Sequence, residues 1–125
     1  MIYGIGTDFV EVSRIEKVLQ RWGDKFTNKV FTLDEISYCQ NKAFPAVHYA
    51  ARFAAKESFL KSLGIGLGMG INLREIEVIN NAQGRPILKI NERIKDSLDK
   101  SGITTIHISI THTREHAHAV VVLEK

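Results

Sequence analysis

The chain has 125 residues, 44% of them hydrophobic, enough to bury one ordinary core and too few for two, so a single domain over 1–125 is predicted. Its 17 basic and 14 acidic side chains leave a mild net charge of +3, which does not by itself choose between nucleic acid, an acidic protein and a phosphorylated small molecule as partner. No apolar run approaches the roughly 20 residues of a membrane span, the start Met1–Gly4 lacks a basic-then-apolar leader, and a single cysteine, Cys39, excludes an internal disulfide; a reducing cytoplasm is the expected location.

Ile2 to Gly6 is a short apolar run broken by glycines and reads as a strand over 1–7, which places Asp8 at a strand exit. Ser13-Arg14-Ile15-Glu16 has the form of a capping box, and Ile15, Val18, Leu19 and Trp22 then recur at helical spacing before Gly23. The other face of that helix carries Arg14, Lys17 and Arg21. Thr32-Leu33-Asp34-Glu35 repeats the capping-box form and opens a short helix through Tyr38, next to a Cys39 expected to be half-buried. Pro45 suits the first turn of a longer helix that ends at Leu63 before Gly64, with Ala50, Phe53, Ala54 and Leu60 as its core stripe and Arg52, Lys56, Glu57 and Lys61 on its polar side. Glycine at alternate positions through 64–70 predicts a loop lined by backbone. Segments 75–79 and 86–90 flank a turn ending in Gly84-Arg85-Pro86 and read as a hairpin; Asn91 caps a helix that carries Ile94 and Leu98 and stops at Gly102. Strands over 105–110 and 117–123 close the chain around a turn at 111–116, with Ile106, Ile108 and Ile110 on one face and His107 and Ser109 on the other. That order predicts an α+β fold with antiparallel strands and one long helix, not a doubly wound parallel sheet.

Asp8 and Glu57 are hard oxygen donors, suited to Mg²⁺ if the fold brings them together, because that ion takes one or two protein carboxylates and fills its shell with phosphate oxygens and water. The plainer reading makes Asp8 a turn residue and pairs Glu57 with Lys61 one helical turn on. Arg52, Lys56 and Lys61 could neutralise a diphosphate, and the glycine segment could offer backbone N–H groups to it. His112, His116 and His118 have the number of ligands for zinc but not the spacing, since a turn and a strand would have to be bridged; His112 alone suits a phosphate or ribose. A hydrolase triad, a P-loop and a dinucleotide fingerprint are unsupported. A nucleic-acid-binding domain is motivated by a pI near 9.1 and the crowding of basic residues from Arg14 to Lys29, but no recognition motif accompanies them.

In order along the chain, Ile5-Gly6-Thr7-Asp8, Val30-Phe31-Thr32 with Glu35, the run Arg52 to Lys61, Gly84-Arg85-Pro86, and Ser109-Ile110-Thr111-His112-Thr113 ahead of Ala117-x-Ala119-x-Val121 resemble the holo-acyl-carrier-protein synthases, the small trimeric class of 4'-phosphopantetheinyl transferases. Ser58 stands where that family often has alanine. The resemblance implies Mg²⁺ held by Asp8 and Glu57 with the diphosphate of coenzyme A, and Lys61 offsetting diphosphate charge. It also implies Arg52 and His112 around the nucleotide and its 3'-phosphate, and Gly84, Arg85 and Pro86 at the adenine, supplied by a neighbouring subunit of a homotrimer. The reaction implied is attack by a serine of apo-acyl carrier protein on the β-phosphate, with Glu57 or a metal-bound water as base, serving fatty acid biosynthesis. Acyl carrier proteins being acidic, Arg14, Lys17, Arg21 and Lys25 are the expected docking residues; neither nucleic acid nor membrane is an expected partner.

Overall fold

A computed structural model describes residues 1–64 and 70–125; the segment expected as a glycine-lined loop lies, but for Gly64 and Gly70, outside the described residues. In chain order the elements are β1 (Ile2–Glu11), α1 (Val12–Trp22), α2 (Asp24–Val30), α3 (Leu33–Gln40), α4 (Pro45–Leu63), β2 (Ile76–Asn80), β3 (Pro86–Ile90), α5 (Glu92–Lys100), β4 (Thr105–His112) and β5 (His116–Glu124), with one 3-10 turn at Leu73–Glu75. The strands form an antiparallel sheet in the order β1-β5-β4 and a separate β2-β3 hairpin, so the α+β prediction with one long helix holds.

The long helix lies on one face of the three-stranded sheet. Alternation along β5 sends Ala117, Ala119, Val121 and Leu123 inward, all fully buried, and α4 answers with Ala50, Ala54, Ala55 and Phe59, also fully buried. Small residues on both sides let the layers approach closely, and β1 takes this furthest. A Cβ placed on Gly4 would lie 2.0 Å from the Ser62 carbonyl oxygen, and one on Gly6 would lie 1.9 Å from that of Ser58. Gly4, Gly6 and Asp8 share a face because strand side chains alternate, so the strand that touches α4 through its glycines delivers Asp8 to the same helix. The Ser58 hydroxyl ties the third element in by donating to the Ala119 carbonyl oxygen at 3.0 Å.

Several local expectations change. β1 does not stop at Thr7 but runs to Glu11 and passes straight into α1, so Asp8 is a residue within the strand. The Ser13 capping box does not form: Glu11 is the N-cap without a side-chain bond, and the Val12 amide donates instead to the Glu115 carbonyl oxygen in the β4–β5 turn, at 2.9 Å. A tertiary acceptor thus replaces the local one. Trp22, placed on the apolar face of α1, is half exposed with the Arg21 guanidinium over its ring. Helix α2 went unpredicted because seven residues are too few for a periodic pattern; it follows a bend at Gly23, whose φ of 50° favours glycine. The Thr32–Glu35 capping box does form. Cys39 is fully buried, not half-buried.

The largest correction concerns α4. Lys56 and Arg52, expected on its polar side, are buried, whereas Phe53 and Leu60, expected in its core stripe, are half-buried. The Lys56 Nζ donates to Glu35 Oε1 at 2.6 Å, to the Val30 carbonyl oxygen at 2.8 Å and to the Leu73 carbonyl oxygen at 3.0 Å, using all three of its protons. Glu35 also accepts from the amides of Thr32 and Val78. A buried ammonium is tolerable only when so completely paired.

Candidate functional site

Two cavities flank α4. The first, of about 280 Å³, is lined by Asp8, Phe9 and Val10 of β1, by Arg14, Ile15 and Val18 of α1, by Phe26 of α2 and by Phe53 and Glu57 of α4. Its polar groups gather at the β1–α4 contact. Lys61 Nζ donates to Asp8 Oδ1 and to the Thr7 carbonyl oxygen, each at 3.0 Å. The simple reading that paired Lys61 with Glu57 is therefore replaced by a pair with Asp8. Because the Lys61 side chain is 55% exposed, that bridge holds it only weakly and leaves its ammonium open to a ligand.

Glu57 has no hydrogen-bond partner among the described residues. Its burial, and then the charge of Asp8, push its carboxyl above the usual carboxylate range, against the pull of Lys61. Two carboxylates close enough that the charge of Asp8 opposes ionisation of Glu57, with Glu57 unpartnered among the described residues, fit a hard divalent cation such as Mg²⁺. Among the described residues no cluster of three or more His, Cys, Asp or Glu could hold a metal. A cation at Asp8 and Glu57 would therefore draw its remaining ligands from substrate and water.

The second cavity, of about 250 Å³, shares no lining residue with the first among the described residues. It is bounded by Tyr38 of α3, by His48, Ala51 and Arg52 of α4, by Val78 and Asn80 of β2, by Gly84 and Pro86, and by Ile110 and His112 of β4. Arg52, His112, Gly84 and Pro86, far apart in sequence, meet here. Arg85 does not join them; it is exposed and lines an adjoining hollow with Ile106 and His107. The Arg52 guanidinium lies 3.9 Å from the Tyr38 ring centroid and donates through Nη2 to Asn80 Oδ1 at 3.0 Å, while its buried Nε has no partner among the described residues. Lys56, named with Arg52 and Lys61 as a phosphate-facing cation, reaches neither cavity because it is consumed by Glu35 and two carbonyls.

Sequence reasoning overlooked Tyr38, His48 and Asn80. The spacing of His48 and Arg52, one helical turn apart on α4, was the signal available for His48. The three histidines considered for zinc are divided between the two faces of the sheet: His112 pairs with Ala117 and shares its face, while His116 and His118 alternate to the other. On that outer face Phe9 stacks on His116 with ring centroids 4.9 Å apart. Among the proposed docking residues, Arg14 lines the first cavity and Lys17, Arg21 and Lys25 are exposed beside it along α1 and α2.

Residues 4–121 match the family model described as the 4'-phosphopantetheinyl transferase superfamily. The chain is 56% identical over 124 residues to the holo-[acyl-carrier-protein] synthase of Syntrophus aciditrophicus (strain SB), covering 99% of this chain and 97% of that one. Among solved structures it resembles the holo-[acyl-carrier-protein] synthase from Neisseria meningitidis with a TM-score of 0.91 and 33% identity over the whole of both chains. It also resembles that from Bacillus anthracis str. Ames in complex with CoA (3',5'-ADP), with a TM-score of 0.79 and 37% identity, covering 98% of this chain and 96% of that one. The chain belongs to the 4'-phosphopantetheinyl transferase superfamily. Within that class it is a member of the holo-[acyl-carrier-protein] synthase family.

Proposed function

We propose that this enzyme transfers the 4'-phosphopantetheine group of coenzyme A to a serine of an apo-acyl carrier protein, as one domain spanning 1–125, in the cytoplasm and in the service of fatty acid biosynthesis. The observation that carries the reading is the meeting of Asp8, Glu57 and Lys61 where β1 touches α4, with Asp8 and Glu57 lining a cavity that Phe26 and Phe53 also line. Asp8 and Glu57 would hold Mg²⁺ together with the diphosphate, and that ion would supply positive charge where negative charge builds up during transfer.

The remaining work falls to the chain itself. Lys61 is braced by Asp8 and Thr7 and keeps a third proton for a diphosphate oxygen. The serine hydroxyl attacks the β-phosphorus and gives up its proton to Glu57 or to water, the bond to the bridging oxygen breaks, and adenosine 3',5'-bisphosphate departs. Phe26 and Phe53 narrow the water-accessible space beside the reacting groups and offer apolar walls to the pantetheine arm. The cationic cavity of Arg52 and His112, bordered by Gly84 and Pro86 with Arg85 at its edge, receives the nucleotide end.

The reading extends to a homotrimer, which the placing of the two cavities supports. The acidic and cationic cavities open on different sides of α4, so one coenzyme A molecule is best shared between the acidic half of one subunit and the cationic half of its neighbour. The outer face of the three-stranded sheet supplies a surface for such contact, with Ile5 57% and Phe9 63% exposed on the same face of β1, Thr7 between them. Arg14, at the acidic cavity, and the exposed Lys17, Arg21 and Lys25 of α1 and α2 would meet the acidic carrier protein. No described helix is long and apolar enough to cross a membrane.

Intact mass of an apo-acyl carrier protein after incubation with the enzyme, coenzyme A and Mg²⁺ tests the reading. A gain of one phosphopantetheine that falls about 100-fold in rate with Glu57→Gln, and is abolished by EDTA, is expected. No gain with several folded apo-carriers would leave a nucleotide-binding protein without transferase activity.

A further inference from the structure

Among the groups around the cationic cavity, His48 is an imidazole to which neither the motifs nor the proposed reaction gives a role. It sits one turn before Arg52 on α4, and both project into the same space. Its ring meets two others edge-on: Tyr38, with centroids 5.9 Å apart, and His112, with centroids 5.3 Å apart. Arg52, Tyr38, His48 and His112 therefore form a continuous wall built from α3, α4 and β4.

That wall is short of hydrogen-bond partners. Among the described residues no ring nitrogen of His48 or His112 is hydrogen-bonded, and the buried Arg52 Nε is orphaned although its Nη2 is fixed on Asn80. Of these donors Arg52 Nε alone is buried and unsatisfied among the described residues, while His48 is half-buried and His112 exposed; an acceptor entering the cavity therefore meets one donor that burial leaves unpaired and two imidazoles with no protein partner. The charges say what kind. The charged and titratable groups facing His48 are Tyr38 and Lys42 from the α3 side, Arg52 from its own helix and His112 from β4; β2 presents none, the Gly84–Pro86 turn carries only Arg85, which lines the adjoining hollow, and among the described residues no carboxylate lines the cavity. An anion with several acceptor oxygens, such as a phosphate monoester, matches this set of donors.

We propose that His48 is a nucleotide-binding residue, which together with His112 and Arg52 grips the 3'-phosphate of coenzyme A and takes up a proton as that phosphate enters. The inference rests on the coenzyme A reading above. Before binding, the ring's burial, and then His112, Lys42 and Arg52, hold His48 below the ordinary imidazole range, so at neutral pH it enters the encounter uncharged. A dianion placed between the two imidazoles reverses that balance and favours an imidazolium donor. The proton comes from solvent and returns to it when the adenosine 3',5'-bisphosphate leaves.

Isothermal titration of the intact enzyme with adenosine 3',5'-bisphosphate, at one neutral pH in two buffers of different ionisation enthalpy, reads affinity and proton uptake together. His48→Phe is expected to weaken binding by roughly tenfold and to reduce the protons taken up, and His48→Gln to restore part of the affinity without the uptake. Adenosine 5'-monophosphate, which lacks the 3'-phosphate, should bind all three proteins alike. If both variants bind the bisphosphate as tightly as the unaltered protein and with the same proton count, the role of His48 is overturned while the nucleotide site stands. If the unaltered protein binds no bisphosphate, the nucleotide site itself falls, and the inference with it.

Discussion

Lys56 Nζ and Glu35 Oε1 lie 2.6 Å apart, with both side chains essentially sealed from solvent. Through this one contact and its satellite bonds, the end of α2, the start of α3, the 3-10 turn and β2 are fastened to the turn of α4 that also carries Glu57. Lys56→Met leaves Glu35 charged and unpaired in the interior and is expected to cost about 3–5 kcal/mol of stability, measured by denaturant unfolding. The double variant Lys56→Met/Glu35→Leu should recover part of that loss, because no lone charge remains.

Gly6→Ala asks whether the backbone contact of β1 with α4 positions Asp8. A methyl group 1.9 Å from the Ser58 carbonyl oxygen must push the strand away, at a cost of about 1–3 kcal/mol. A weaker Mg²⁺ response of transfer, beyond what the lost stability explains at low temperature, is expected alongside it.

Charge reversal at Arg14 and Arg21 should raise the apparent KM for carrier protein and flatten its dependence on salt, with coenzyme A binding less affected. Steady-state rates at several ionic strengths measure this. Unchanged KM and salt slope would remove α1 as the docking surface.

Sharing of the active site between subunits predicts complementation. Asp8→Asn and His112→Ala are each expected to be nearly inactive, yet unfolding and refolding them as a mixture should restore part of the activity, because some sites then combine an intact acidic half with an intact cationic half. A mixture no more active than its components would place both halves of the site within one chain.

Burial pushes the Cys39 thiol from 9.0 up to about 12, the strongest of several influences on it. Between those values the unfolded chain has released the thiol proton and the folded chain has not, so this group makes stability fall as pH rises above about 9. The sealed thiol should resist iodoacetamide at pH 8 and react once the protein is unfolded, as read by intact mass.

The sequence conveyed most where a pattern was local. Pro45 and Gly64 bounded α4, the Thr32–Glu35 box opened α3, and Gly84 with its neighbours marked the turn between β2 and β3. It conveyed least where a distant partner decided. Lys56 reads as a surface lysine until Glu35, Val30 and Leu73 close around it, and Ser13 reads as a cap until the Glu115 carbonyl oxygen takes the first amide of α1. Of the candidate site, Asp8, Glu57 and Lys61 were named from residue type and likeness. Only the fold could show that Lys61 braces Asp8, or that His48 completes the wall of Arg52 and His112.

The placing of both cavities along one helix has a consequence for how this chain can vary. Arg52 and Glu57 are separated by five residues, about 140° of helical rotation, which is why they look to different sides. A single residue inserted between them would turn one cavity's side chains by about 100° relative to the other's and swing the Lys56 anchor out of register. Residues 81–83 of the hairpin turn impose no such phase on their surroundings. Length variation among descendants of this gene should therefore gather in the hairpin turn, while the interval from Arg52 to Lys61 stays fixed in length whatever substitutions it accepts.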